Sequence, residues 1–353
     1  MSKAAICVVV PVYKAMATLD RCVESVLAQQ VEGGLTCILV DDGSPDESGA
    51  LCDAWAAKDD RVTVIHQDDL GVSGARNSGL AAADSEFIVF LDSDDALRPG
   101  ALQTALTAQR AAPQDFVVWH YTTDEKDPAA VTADAEPRTQ AGLARLWLDC
   151  LLAMPWNKLY RADLAKQLQF DVQYTLGEDL QFVLDYISLL GQTVPEFCYR
   201  VMTSPLTFYD CSRGGTLSTR YHANYCDIWP KHFAKLNAAC HAAACPAEDM
   251  RPLHRAELQV FAEGVADIMR RDPSPTQRLK GYKAEAALRS PWLRALLERM
   301  KIEHCYSAYY LPCRWRNVGL VCRVDEARRA NAPLYGKLDW AGYYLLLGKM
   351  KRD

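Results

Sequence analysis

Between residue 4 and about residue 121 the sequence alternates between two hydrophobic periods, and few architectures accommodate that alternation. Ala5–Val10, Leu35–Val40, Val62–Ile65 and Phe87–Leu91 are short, continuous runs rich in Val, Ile, Leu and Phe. Thr18–Gln29, Glu47–Ala57, Val72–Ala83 and Gly100–Arg110 carry apolar residues at helical spacing instead. A strand that is apolar at every position must be covered on both faces, which the helices joining parallel strands achieve. The expected fold is therefore α/β, with a mostly parallel central sheet. The Ala-, Pro- and Asp-rich segment Glu125–Arg138 reads as a loop that separates this half from the remainder of the chain.

In open sheets of this kind ligands bind beyond the carboxyl ends of the strands, so the residues after each run matter most. They are Pro11-Val12-Tyr13, Asp41-Asp42-Gly43-Ser44, Gln67-Asp68-Asp69 and Asp92-Ser93-Asp94-Asp95. Asp92 and Asp94, two residues apart, are suited to present oxygens to one hard cation, Mn²⁺ or Mg²⁺, which takes such ligands alongside substrate phosphates. Asx turns and helix caps account equally well for Asp-x-Asp in isolation. Asp41 and Asp42 are placed to accept hydrogen bonds from a nucleobase and a ribose. In Gly71–Gly79 neither phosphate-loop spacing is present; a helix opening near Val72 puts Arg76 and Asn77 close to its N-terminal end, where a salt bridge or a nucleotide contact are both open. Glu178-Asp179 opens another helix, where acids complement the helix dipole or serve as a general base.

The ordered set Pro-Val-Tyr, Val-Asp-Asp-Gly-Ser, Gly-Val-Ser-Gly-Ala-Arg-Asn-Ser-Gly-Leu, Phe-Leu-Asp-Ser-Asp-Asp, Trp-Asn-Lys-Leu-Tyr-Arg and Gly-Glu-Asp resembles the family-2 inverting glycosyltransferases of the GT-A fold, over about residues 5–215. That resemblance implies a Rossmann-like nucleotide-sugar domain. It implies a nucleotide-sugar pocket from Pro11, Val12, Tyr13, Asp41, Asp42, Arg76, Asp92, Ser93 and Asp94, with Asp42 at the uracil edge of a UDP-sugar. Asp94, with Asp92 beside it, would hold the metal, and Asp179 would be the base. Trp156, Asn157, Lys158 and Glu178 are candidates for sugar or acceptor contacts, and Arg213 for the diphosphate when the Gly214-Gly215 loop closes. The implied acceptor is a glycan or lipid-linked molecule of lipopolysaccharide, capsule or exopolysaccharide synthesis. Two rivals stay open: a sugar nucleotidyltransferase, and a glycan- or lipid-binding scaffold with a degenerate transferase domain.

At 353 residues the chain exceeds one ordinary module, and the expected division is 1–218 for the catalytic domain and 219–353 for a helical extension. Charge is unevenly spread. Residues 271–353 carry 17 Lys and Arg against 8 Asp and Glu in a chain of net charge −6, which argues against a nucleic-acid partner overall. The aromatics Trp292, Tyr306, Tyr309, Tyr310, Trp315, Tyr335, Trp340, Tyr343 and Tyr344 interleave with these cations, a mixture that fits either a packed helical module or contact with an anionic membrane. Thirteen scattered cysteines without a CxxC pair read as reduced thiols, and the start Met1-Ser2-Lys3 runs into an apolar stretch too short for a signal peptide or a span. The expected location is cytoplasmic, with peripheral contact at the inner membrane as one option.

Overall fold

The structure, a computed structural model, describes residues 3–174, 176–212 and 220–332. Two compact units fall within residues 1–214 and 215–353. In the first, the four apolar runs become β1 (Ala4–Val12), β2 (Leu35–Asp42), β3 (Val62–Gln67) and β4 (Ser85–Phe90), followed by β5 (Ala96–Leu97), β6 (Phe116–Thr122), β7 (Ala135–Thr139), β8 (Lys158–Arg161) and β9 (Cys198–Phe208). The helices are α1 (Leu19–Leu27), α2 (Ser48–Lys58), α3 (Gly71–Ala82), α4 (Ala101–Ala111), α5 (Leu143–Leu148), α6 (Ala162–Ala165) and α7 (Glu178–Thr193).

These strands form one sheet in the order β3-β2-β1-β4-β8-β6-β9-β5, with β7 paired to β9. The first four are parallel, as the continuous apolar runs imply, and β1 is buried along almost its whole length. Beyond β4 the sheet is mixed: β8 runs antiparallel to β4 and β6, while β6 and β9 are parallel. The segment expected to be a separating loop does not end the domain. Its last residues enter β7, which lies antiparallel to β9, so the chain returns to the same sheet. The alternating, partly exposed pattern of β7 carries too little apolar signal to read as a strand.

The helix α1 shows how the sequence selects its contacts. Leu19, Cys22, Val23 and Val26 follow the i, i+3, i+4, i+7 spacing and are its buried face. Cys7 and Cys37 are likewise core residues of β1 and β2, and burial pushes the Cys7 thiol up to about 11. None of the thirteen cysteines is in a disulfide.

The close approach of α3 to the sheet depends on Gly79. A Cβ there would run into Cγ1 of Val9, with Cγ2 of Val40 at 3.3 Å. Gly79→Ala is expected to lower the unfolding free energy by ~1–3 kcal/mol through overpacking. Alanine's better helix propensity, ~1 kcal/mol, acts in the opposite direction. Denaturant unfolding therefore decides between them by the sign of the change, and a stabilised variant would mean that α3 has room to move.

In the second unit α8 (Tyr225–Ala242), α9 (Ala247–Arg271), α10 (Gln277–Leu288), α11 (Pro291–Ile302), α12 (Tyr310–Arg314) and α13 (Val318–Arg329) surround α9, against which α8, α10, α11 and α13 pack. Tyr306, Tyr309 and Tyr310 are core residues, and Trp292 lies against Phe233 and Phe261. Those aromatics serve packing, whereas Trp315 is 64% exposed. Tyr335, Trp340, Tyr343 and Tyr344 lie outside the described residues. Among the described residues one trio has metal-ligand types at close range, His254, Glu303 and Cys305. It is already a hydrogen-bonded network: Glu303 Oε2 takes bonds from Cys305 and His254 Nδ1, and His254 Nε2 meets Asn237 Oδ1, whose amide donates to Glu257. No helix among the described residues is long and apolar enough to cross a membrane.

Candidate active site

Strand register alone brings the chemistry together. Val12 lies opposite Asp41, and Asp41 and Asp42 lie opposite His66 and Gln67. The amide of Leu91 donates to the carbonyl of Val9, which sets the Asp92 turn beside the end of β1. The carboxyl ends of β1, β2, β3 and β4 thus share one edge, where open α/β sheets bind ligands.

At that edge Asp41 is held by the backbone N–H of Ser44 at 3.1 Å and by His66 Nδ1 at 2.9 Å. Burial works against ionisation, but these bonds leave the Asp41 carboxyl below its usual range, while His66 is raised first by its bond to Asp53 and then by that to Asp41. Asp42 Oδ1 accepts from the Gln67 amide at 2.7 Å and the Leu70 N–H at 3.0 Å, so it fastens the β3–α3 turn to the end of β2. Pro11 and Val12 are buried, while Tyr13 keeps 44% of its surface open, with Lys14 over its ring.

Arg76 sits at the centre, on α3, only 3% exposed. Its Nη1 donates to Asp179 Oδ1 at 2.6 Å and its Nη2 to Asp92 Oδ1 at 2.8 Å. The acid that follows β4 and the acid in the first turn of α7 are therefore separated by one guanidinium, although they are 87 positions apart in sequence. Next to it, Asn77 bonds the backbone of Phe170 in both directions, each at 2.8 Å, and Phe170 stacks on Phe182 of α7 at 4.0 Å. Consecutive residues of α3 thereby fix the chain that leads into α7 and the first turn of α7 itself. Gly177, at φ 77°, supplies the left-handed turn that starts this helix.

Burial raises the Asp179 carboxyl to about 7. Arg76 and Lys158 oppose that rise, and Glu178 and Asp92 add to it. The side chain nevertheless keeps 29% of its surface, a carboxylate with an open approach.

The turn that carries Asp92, Ser93 and Asp94 is half-buried and clamped from α1. Arg21 Nη2 donates to the Asp94 carbonyl at 2.6 Å and to Asp210 Oδ2 at 2.7 Å, and Cys22 Sγ donates to the Asp92 carbonyl. Asp95 is fully buried. Its Oδ1 accepts the N–H of Asp210 at 2.9 Å, and its Oδ2 has no hydrogen-bond partner. Burial first, and Asp92 next, raise the Asp95 carboxyl to about 9, so at neutral pH it adds shape to the rim and no charge. Arg21 and Asp210 carry no sequence signal for this task, since each is a single polar residue whose partners lie on other elements, whereas Asp95 belongs to the strand-end acidic run.

Other expected contacts take different places. Trp156 is buried, stacked on Tyr209 at 5.3 Å and edge-on to Tyr121, so its ring is a wall of the domain and not an exposed sugar platform. Asn157 donates to the carbonyls of Trp119 and Leu151. Lys158 is fully buried, and its Nζ reaches the carbonyls of Leu151 and Met154 and Oδ1 of Asn157. Burial lowers its pKa well below the usual lysine value, whereas Asp179 and three acceptors favour the charged form. None of the three opens directly to the site; Lys158 reaches it electrostatically. Glu178 is half-buried beside Asp179. Arg213 lies outside the described residues.

The family model Glycosyl transferase family 2 matches residues 7–169. GlyG, a glycosyltransferase of Streptococcus pneumoniae, is 40% identical over 124 residues, 35% of this chain and 41% of that protein. ExoO, a succinoglycan biosynthesis protein of Rhizobium meliloti, is 31% identical over 206 residues, 53% of this chain and 57% of that protein. The chain thus spans about half the length of these relatives. Among solved structures, S. aureus TarS 1-349 in complex with UDP-GlcNAc shares the fold at a TM-score of 0.61 and 17% identity, over 93% of this chain and 92% of that one. The parallel strand ends, the acids gathered on them and these matches agree: residues 7–169 are similar to family 2 glycosyltransferases, and the fold is of the GT-A type.

Proposed function

We propose that this protein transfers a sugar, with inversion, from a UDP-sugar to a glycan or lipid-linked acceptor in cell-envelope polysaccharide synthesis. The observation that carries the reading is the Arg76 bridge between Asp92 and Asp179, which holds a strand-end acid and a helix-start acid on one guanidinium. Single displacement requires a base opposite the leaving group. Asp179 Oδ2 takes the proton from the acceptor hydroxyl, and Glu178 beside it orients sugar or acceptor. Tyr13 offers an open ring to the base, over a floor shaped by Pro11, Val12, Asp41 and Asp42.

Asp92 and Asp94 provide carboxylate oxygens alone, half-exposed on a turn that Arg21 and Cys22 hold rigid, a donor set that suits Mn²⁺ or Mg²⁺. Such a cation, when bound, offsets the charge that develops on the leaving diphosphate. The name of ExoO, a succinoglycan biosynthesis protein, supports a polysaccharide as product, and the UDP-GlcNAc complex of TarS supports a UDP-sugar as donor. The basic second unit supports a cytoplasmic protein working at the inner membrane surface.

Calorimetric titration with UDP-, GDP- and dTDP-sugars, with and without Mn²⁺, tests the proposal. UDP-sugar binding is expected to depend on metal, and Asp94→Ala is expected to weaken it at least about tenfold. Unchanged affinity and unchanged metal dependence in that variant would remove Asp94 from the role.

A further inference from the structure

In the second unit α10, α11 and α12 border a small, partly open depression of about 50 Å³. Its floor is apolar, formed by the buried Leu288, Leu293 and Leu297. Its rim is almost entirely cationic: Arg289 and Arg294 stand on the α10–α11 side, and Arg314 and Arg316 on the α12 side. Arg314 is paired with Glu298 at 2.7 Å and Arg289 with Glu285 at 3.3 Å. Arg294 and Arg316 are exposed and have no acidic partner among the described residues. Ser290 lies between the two sides; its Oγ accepts the N–H of Leu293, which leaves its own hydroxyl proton free to donate.

Arg294 and Arg316 bring two guanidinium groups without an acidic partner among the described residues to the rim of this depression, and nothing in the packing of the unit requires them there. Leu288, Leu293 and Leu297 already close the core beneath. The geometry points to a binding site for a phosphate ester, whose oxygens match the guanidinium fork in charge and in bidentate geometry. The partial positive end of α11 adds to the attraction without being needed for it. Exposed Trp315 stands next in sequence to both Arg314 and Arg316. A lipid headgroup and a soluble phosphate ester present the same chemistry to this cleft. The site is independent of the sugar-transfer reading, because it is read out by binding and involves none of the residues at the strand ends.

The test uses the full chain. Inorganic phosphate and glycerol phosphate are titrated calorimetrically at low salt, and co-sedimentation is measured with phosphatidylglycerol and phosphatidylcholine vesicles. The double variant Arg294→Gln, Arg316→Gln is compared with Arg251→Gln, Arg323→Gln, which removes the same charge from exposed positions outside the cleft. The wild type is expected to bind at least one phosphate probe, the Arg294/Arg316 variant about tenfold more weakly and the control pair unchanged. Binding of the soluble esters identifies a soluble source; binding confined to phosphatidylglycerol vesicles identifies a headgroup. Equal losses in the two double variants would reduce the effect to net charge and overturn the site, as would a wild type that binds none of the probes.

Discussion

Asp179→Asn is expected to lower the rate of sugar transfer by about 10²- to 10⁴-fold, the usual contribution of a positioned general base, while donor affinity stays within a few-fold of the wild type. Asparagine keeps the shape of the side chain and still accepts from Arg76 through its amide oxygen, but it takes no proton from an attacking hydroxyl. The pH dependence separates this role from a structural one. Burial, Glu178 and Asp92 push the Asp179 carboxyl up to about 7, against Arg76 and Lys158. A base with that value is protonated and idle on the acid side. Transfer by the wild type should therefore rise as pH increases through about 7, and the residual activity of Asp179→Asn should lack that limb. Initial rates from pH 5.5 to 8.5, paired with calorimetric donor binding, provide the check. A variant that retains the acid limb, or one whose whole loss appears as weaker donor binding, would show that Asp179 positions Arg76 and does not move a proton.

The contrast between Asp179 and Trp156 shows what the sequence was able to disclose. Strand-end acids were legible because a continuous apolar run fixes where a buried parallel strand stops, and position beyond that stop is itself functional information. Arg76 and Asn77 were legible as residues near a helix start, but their partners were not: only the fold brings Asp92, Asp179 and Phe170 to consecutive positions of α3. The burial of Trp156, Asn157 and Lys158 was not legible, because the rings around Trp156 and the carbonyls of Trp119, Leu151 and Met154 that bond Asn157 and Lys158 are not in view in the sequence. The short strand β7 and the Arg21–Asp210–Asp95 clamp were hidden for the same reason, since each gains its place from a tertiary partner and not from local periodicity.

Arg76→Met should be the most damaging single change to stability, with an expected loss of ~3–5 kcal/mol in unfolding free energy, the range for removing one partner of a buried ion pair. Methionine approximates the arginine stem and still packs near Phe170, so the loss isolates the charge. Without the guanidinium, Asp92 and Asp179 face each other across the space it filled. The cheapest response for the protein is to bind a proton at one of them. The variant should therefore recover part of its stability as pH falls from 8 toward 6, because protonation removes the repulsion. Adding Asp179→Asn to Arg76→Met should restore part of the loss at neutral pH for the same reason, giving a coupling energy between the two positions that distant sites do not show. Urea unfolding of the wild type, both single variants and the double variant closes this cycle. Additive losses would mean that Arg76 and Asp179 stabilise the domain separately, and the bridge between strand and helix would then be a consequence of the fold and not what holds the two acids in place.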